Sequence, residues 1–76
     1  MADEGGAIEF SPRSTALLRV EWRAVQAEAD VGTLTVTFAS GRSYSHEDVP
    51  RHVVLAFRDA TSSAGRFYNA EIKGSY

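Results

Sequence analysis

A short stretch near the middle of the chain has the residue types of a nucleophilic catalytic site. It contains Ser40, Ser43, Ser45, His46 and Asp48. A relay of serine, histidine and aspartate activates the serine hydroxyl in many hydrolases. The stretch lacks the G-x-S-x-G pattern of a nucleophile elbow, however, and polar residues beside a glycine are typical of a turn. We therefore expect no catalytic residues and no enzymatic activity.

The same stretch offers potential metal ligands. His46 is followed by Glu47 and Asp48, and His52 comes six residues after the first histidine. This separation, across a predicted junction between a strand and a helix, matches no recognised metal-ligand spacing. We expect neither a metal nor another cofactor.

Positive charge is concentrated in the second half of the chain, where it could contact phosphate. The cationic residues there are Arg42, Arg51, Arg58, Arg66 and Lys73, and the acidic ones are Glu47, Asp48, Asp59 and Glu71. Arg51 and Arg58 are seven residues apart, so they lie on one face of a predicted helix, which Arg66 or Lys73 could join. Such a set binds phosphate or forms an ordinary solvated helix face, and the net charge of about +1 is far below a typical nucleic-acid footprint.

Tyr44 and His46 are the third candidate. An exposed aromatic ring stacks on unpaired bases, and a histidine beside it could bind a ligand or a backbone group. The alternative is that Tyr44 is a core residue, because aromatic residues in alternating strands are usually buried. The strand register predicted below favours the buried tyrosine, with His46 at the border of the core.

Alternating patterns predict three strands. Residues 16–25 place Ala16, Leu18, Val20, Trp22 and Ala24 on one face and Leu17, Arg19, Glu21, Arg23 and Val25 on the other. Residues 33–38 alternate threonine with Leu34, Val36 and Phe38, and residues 42–46 form the third strand. The second face is then polar and largely free of aromatic residues.

The loop between the second and third predicted strands decides which way Tyr44 points. A two-residue loop would line the buried face with serines. A three-residue loop, residues 39–41, pairs Val36 with Tyr44 and Leu34 with His46, and it uses Gly41 in the left-handed conformation. We therefore predict the three-residue loop and an inward-facing Tyr44.

Two helices follow. Pro50 suits the first turn of the first helix, and Asp48 suits the positive end of that helix. An apolar stripe at helical spacing consists of Val53, Val54, Phe57 and Ala60. A second helix is predicted over residues 64–73, burying Phe67 or Tyr68 together with Ile72, and stopping at Gly74.

Length and composition limit what this fold can be. The chain has 76 residues, a net charge of −2 and no cysteine, so we expect one small cytoplasmic domain without thiol chemistry. The opening residues have no basic and apolar segments, so they predict no signal peptide, and no apolar run is long enough to cross a membrane. Two acids and a Gly-Gly pair indicate a flexible arm over residues 1–13 and a folded domain over residues 14–76.

Three stretches of the sequence resemble the KTSC domain family. They are Leu34-x-Val36-x-Phe38-x-x-Gly41-x-x-Tyr44-x-His46-x-x-Val49-Pro50, then Ala60-x-Ser62-x-x-Gly65-x-Phe67, and Ile72-Lys73 with Tyr76. The family's central Tyr-x-Tyr is here Tyr44-Ser45-His46, Trp22 stands where members usually have tyrosine, and a residue or two is added before Gly65. KTSC domains occur as stand-alone bacterial proteins and at the C-terminus of some lysyl-tRNA synthetases, so the resemblance implies RNA binding by association with these enzymes.

We therefore predict an α+β domain, a three-stranded antiparallel meander followed by two short helices packed on one face, with three strands preferred over four. Its expected function is non-enzymatic RNA contact through Arg42, His46, Arg51, Arg58, Arg66 and Lys73. The expected structural motif comprises Trp22, Phe38, Gly41, Tyr44, Pro50, Phe57, Gly65, Phe67 and Ile72. The alternative is a protein partner that binds an unpaired edge of the sheet.

Overall fold

The sheet has four strands, one more than predicted. The computed structural model describes residues 6–12, 16–26, 28–60 and 63–76. Its strands are β1 (Ala7–Phe10), β2 (Leu17–Ala24), β3 (Val31–Phe38) and β4 (Ser43–Pro50), and its helices are α1 (Arg51–Asp59) and α2 (Ala64–Phe67), which continues as a π-helical segment (Tyr68–Ile72). The strands pair antiparallel in the order β1-β2-β3-β4. The α+β class, the antiparallel sheet and the two helices are confirmed, and the strand count of three is wrong.

The additional strand comes from residues that we predicted to be a flexible arm. Ile8 of β1 pairs with Trp22 and is only 4% exposed, and the Phe10 ring packs edge-on against Phe57 with 5.5 Å between ring centroids. The prediction weighed the acids and glycines and overlooked the alternation of these two apolar residues, which is enough for a short strand. Residues 1–5 and residue 13 lie outside the described residues, and the domain boundary at residue 14 stays a prediction.

The predicted faces of β2 are wrong at its start. Leu17 is 1% exposed whereas Leu18 is 59% exposed, the reverse of the simple alternation. The register against β3 shifts between Leu17 and Arg19, so an irregularity inserts one residue and moves Leu18 out of the core. From Val20 onward the predicted alternation holds, and Val20 and Trp22 are buried.

The hairpin between β3 and β4 has the predicted register. Val36 pairs with Tyr44 and Leu34 pairs with His46. The Phe38 amide donates to the Arg42 carbonyl over 2.7 Å, and Gly41 has a φ of +99°. The three-residue loop is confirmed, because this register leaves residues 39–41 between the strands, with the left-handed glycine that such a loop uses.

β4 runs further than predicted because it contains a bulge. Leu34 pairs with His46 but Gly32 pairs with Val49, so one residue of β3 faces two residues of β4, and Asp48 has a φ of +59°. The bulge turns Val49 into the core, where its carbonyl accepts a hydrogen bond of 3.0 Å from Trp22 Nε1. Pro50 therefore ends β4 and precedes α1 instead of lying in its first turn, and that turn has no acidic residue.

The helices cover one face of the sheet. Val54 and Phe57 of α1 and Ile72 beyond α2 are fully buried, Tyr68 is nearly so, and the Phe67 ring stacks on Phe57 at 5.3 Å. The second helix has nearly its predicted extent, but its last part is π-helical.

The other face of the sheet is polar, as predicted. Thr35 and Thr37 pair with Ser45 and Ser43, and Arg19 bridges Glu9 and Glu21. No described helix has the length and apolar character needed to cross a bilayer.

Candidate functional site

A groove lies between the β3–β4 hairpin and the π-helical segment, on the helical side of the sheet. Its strand side consists of Phe38, Ser40, Arg42, Tyr44 and His46. Its helical side consists of Tyr68, Asn69 and Lys73. Its volume is about 660 Å³, within the range of small-ligand sites. We call it the aromatic groove.

Tyr44 is the exposed aromatic residue of this groove. It faces the same side of the sheet as Val36, as predicted, and its ring packs edge-on against Phe38 with 5.5 Å between centroids. Its exposure is nevertheless 45%, so the prediction that it is buried is wrong. β4 is an edge strand with a neighbour on one side only, and α1 begins at the opposite end of this strand, so neither covers the ring. Tyr44 is therefore accessible to a ligand.

His46 and Tyr68 form a hydrogen-bonded pair behind Tyr44. His46 Nε2 lies 2.9 Å from the Tyr68 hydroxyl, and the two rings meet at a steep angle. Burial, and secondarily the charge that Tyr44 would carry if ionised, raises the pKa of Tyr68 above its ordinary value. Tyr68 thus stays protonated and holds the half-buried His46 in place.

The π-helical segment presents the helical side of the groove. The Lys73 amide donates to the Tyr68 carbonyl over 2.8 Å, a bond that spans five residues instead of the four of an α-helix. Single π-helical turns are rare and are often found at functional sites. Tyr68 and Asn69 were absent from our predicted site, and no pattern in a single sequence distinguishes such a turn from an ordinary helix.

The charge of the groove is positive. Arg42 and Lys73 are exposed and have no ion pair or side-chain hydrogen bond within the part of the chain that the structure describes. Among the described residues, no carboxylate lines the groove. Since the whole chain has a net charge of −2, the groove is a local exception that favours an anionic ligand.

The other predicted binding residues lie elsewhere. The Arg51 guanidinium sits 4.9 Å from the centre of the Trp22 ring and donates to the Ala29 carbonyl over 3.2 Å. Arg58 lies beside Asp59, with 4.0 Å between side-chain atoms, and Arg66 is exposed on α2. Of the six predicted residues, the structure brings Arg42, His46 and Lys73 together in the groove.

A second concavity lies at the β1–β2 side of the molecule. It has a volume of about 740 Å³, and Glu9, Glu21, Arg23 and Arg58 are among its lining residues. Both carboxylates already pair with Arg19, and the mixed charges favour no particular ligand. Among the described residues, no three histidine, aspartate or glutamate side chains gather as metal ligands would.

A family model for the KTSC domain matches residues 13–76. No curated protein and no solved structure matches the chain. The match covers most of the sequence, including every strand from β2 to β4, both helices and the aromatic groove. The chain therefore belongs to the KTSC domain family.

Proposed function

We propose that this KTSC domain is a non-enzymatic binding module that contacts RNA through the aromatic groove. One observation carries the proposal: within the described part of the chain, a half-exposed tyrosine lies in a groove with two cations that have no ion pair, Arg42 and Lys73, and no carboxylate. Proteins bind single-stranded RNA by stacking aromatic side chains on unpaired bases and by placing cations near the phosphates.

The groove also explains how RNA contact is compatible with the open face of the sheet. Sheet-type RNA-binding domains stack bases on aromatic residues that project from that face. Here, apart from the exposed Leu18, the corresponding positions of β2, β3 and β4 are arginine, glutamate, threonine and serine. The helical side of the hairpin, not the open face, is therefore the proposed RNA surface.

The rival function is recognition of a protein through a sheet edge. The two edge strands are β1, with four residues, and β4, which has the bulge at Asp48. Short edges and bulges are features that limit strand addition. The edges therefore support a protein partner less well than the groove supports RNA.

Fluorescence anisotropy tests the proposal directly. A labelled single-stranded RNA decamer of mixed sequence should bind at about 50 mM salt and more weakly at about 200 mM, because phosphate contacts release counterions. The double variant Arg42→Ala, Lys73→Ala should lose this binding. The matched control, Arg23→Ala, Arg58→Ala, removes two cations from the second concavity and should bind like the original protein.

Absence of binding at low salt would overturn RNA contact, because electrostatic affinity is greatest there. Equal losses in both double variants would also contradict it, since they would reflect net charge and not the groove. Capture of a protein that protects the β4 amides from hydrogen exchange, without any RNA binding, would favour the rival function.

A further inference from the structure

The geometry points to a site for one nucleotide: a single unpaired base stacks on Tyr44, and its adjacent phosphates lie at Arg42 and Lys73. This inference rests on the proposed RNA contact and narrows it. The aromatic groove would bind an RNA strand at one nucleotide, and the rest of the strand would not contact the domain.

The aromatic residues of the groove provide one stacking surface. Phe38 packs edge-on against Tyr44 and also against Tyr68, with centroid distances of 5.5 and 5.4 Å. Tyr68 is only 5% exposed and is bonded to His46. Tyr44, at 45% exposure, is thus the ring on which a base can lie, and the other rings fix its position.

The charges around the groove limit the binding site to the phosphates next to that base. Arg42 and Lys73 are the two cations among the described residues of the lining. Further along β4 come the exposed carboxylates of Glu47 and Asp48, and Arg51 beyond them is already held against Trp22. A strand extending along β4 would therefore meet acidic residues, and its phosphates would be repelled.

The groove also has uncharged polar groups that suit the edge of a base. The Ser40 hydroxyl and the Asn69 amide line it, and neither has a hydrogen-bond partner among the described residues. An amide offers both donors and an acceptor, which is what the edges of bases require. A nucleotide would satisfy the aromatic, cationic and polar groups of the groove together.

The salt dependence of binding measures how many RNA phosphates the protein neutralises. For single-stranded nucleic acid, the logarithm of the affinity falls with the logarithm of the salt concentration with a slope of about −0.7 per neutralised phosphate. Two cations predict a slope of about −1.4 for the labelled decamer, whereas a surface that used all five cations of residues 42–73 would give about −3.5. The two values are far enough apart to be distinguished by anisotropy titrations.

A pair of tyrosine variants tests the stacking. Tyr44→Leu should weaken binding of the decamer about tenfold, and Tyr44→Phe should retain it, because a phenyl ring stacks without the hydroxyl. Tyr76→Leu is the matched control, since this tyrosine is 41% exposed and does not line the groove. Thermal unfolding of each variant verifies that the fold is intact.

The outcomes separate the two proposals. A slope near −1.4 together with a selective loss in Tyr44→Leu supports the one-nucleotide site. RNA binding with a slope near −3.5, or with equal affinity for Tyr44→Leu and the original protein, overturns this site and leaves RNA contact standing. Absence of RNA binding at low salt overturns the proposed function itself.

Discussion

Each end of β4 places an arginine near an aromatic residue, but only one of the two arginine side chains has a hydrogen-bonding or aromatic partner in the described part of the protein. At the closed end, after Pro50, Arg51 stacks on the buried Trp22 and donates to the Ala29 carbonyl. At the open end, Arg42 and the half-exposed Tyr44 line the same groove, and Arg42 has no side-chain partner among the described residues.

The difference arises from the neighbours that the chain supplies. The closed end is packed against the β2–β3 connection and the start of α1, and the Arg51 amide also donates to the Asp30 carbonyl over 2.6 Å. The open end is beside a tight turn and near the π-helical segment, which leave the groove between them. Residue type alone therefore does not separate a structural cation–aromatic pair from a pair available to a ligand.

The largest expected effect is at Gly32, near the closed end. A Cβ atom at this position would lie 2.2 Å from the Arg23 carbonyl oxygen of the neighbouring strand, so Gly32→Ala requires the backbones of β2 and β3 to separate. We expect the free energy of unfolding to fall by about 3 kcal/mol or more, as measured by urea denaturation. The control is Gly65→Ala, whose added methyl would have no described atom beyond its own helix backbone within 4 Å and should change stability by about 1 kcal/mol or less. Similar losses in both variants would show that the close approach of β2 and β3 is not what requires Gly32.

The next effect compares the two aromatic residues directly. Trp22→Phe removes the donor to the buried Val49 carbonyl and replaces the indole beneath Arg51 with a smaller ring, so the free energy of unfolding should fall by roughly 2 to 4 kcal/mol. Tyr44→Leu at the open end should cost about 1 kcal/mol or less, because it loses little more than the edge contact with Phe38. If urea denaturation gave equal losses of unfolding free energy for the two variants, the aromatic residues at the two ends of β4 would contribute equally to stability, contrary to this comparison.

The smallest effect is a pH dependence at Tyr68. Because its pKa in the folded protein is raised above 10.0, the contribution of Tyr68 to stability is fully present below pH 10 and is lost as the pH rises through the folded pKa. Tyr68→Phe should lower the free energy of unfolding by about 1 kcal/mol near neutral pH, because the hydrogen bond to His46 is lost. The stability of this variant should then fall less steeply at alkaline pH than that of the original protein. The tyrosinate absorbance that is lost in Tyr68→Phe should appear at a higher pH than that of free tyrosine. Its appearance at the pH of free tyrosine would contradict the raised pKa.

Much of the fold could be predicted from local patterns. The β3–β4 register followed from the alternation, since the two-residue loop would have placed serines on the buried face, and Gly41 suited the three-residue loop. The helices followed from the spacing of residues such as Val54 and Phe57. The bulge at Asp48 and the inversion of Leu17 and Leu18 were missed, because an inserted residue leaves no mark in an alternating pattern until the partner strand is known.

The candidate site was predicted less completely. The sequence placed Arg42, His46 and Lys73 among the binding residues, but it could not reveal that Arg51 is held by Trp22, which lies 29 residues earlier. Tyr44 was assigned to the correct side of the sheet and to the wrong environment, because the burial of an edge residue depends on how far the helices reach. Asn69 and Tyr68 entered the site only through the π-helical turn.

The strands occupy the sheet in the order in which they occur in the chain. Each pairing therefore joins segments that are close in sequence, and little chain entropy is lost in closing the intervening loops. Topologies dominated by such local contacts fold faster than those that need distant segments to meet. During synthesis, each new strand can pair with the one before it as soon as both have emerged, and the helices then close over the completed sheet.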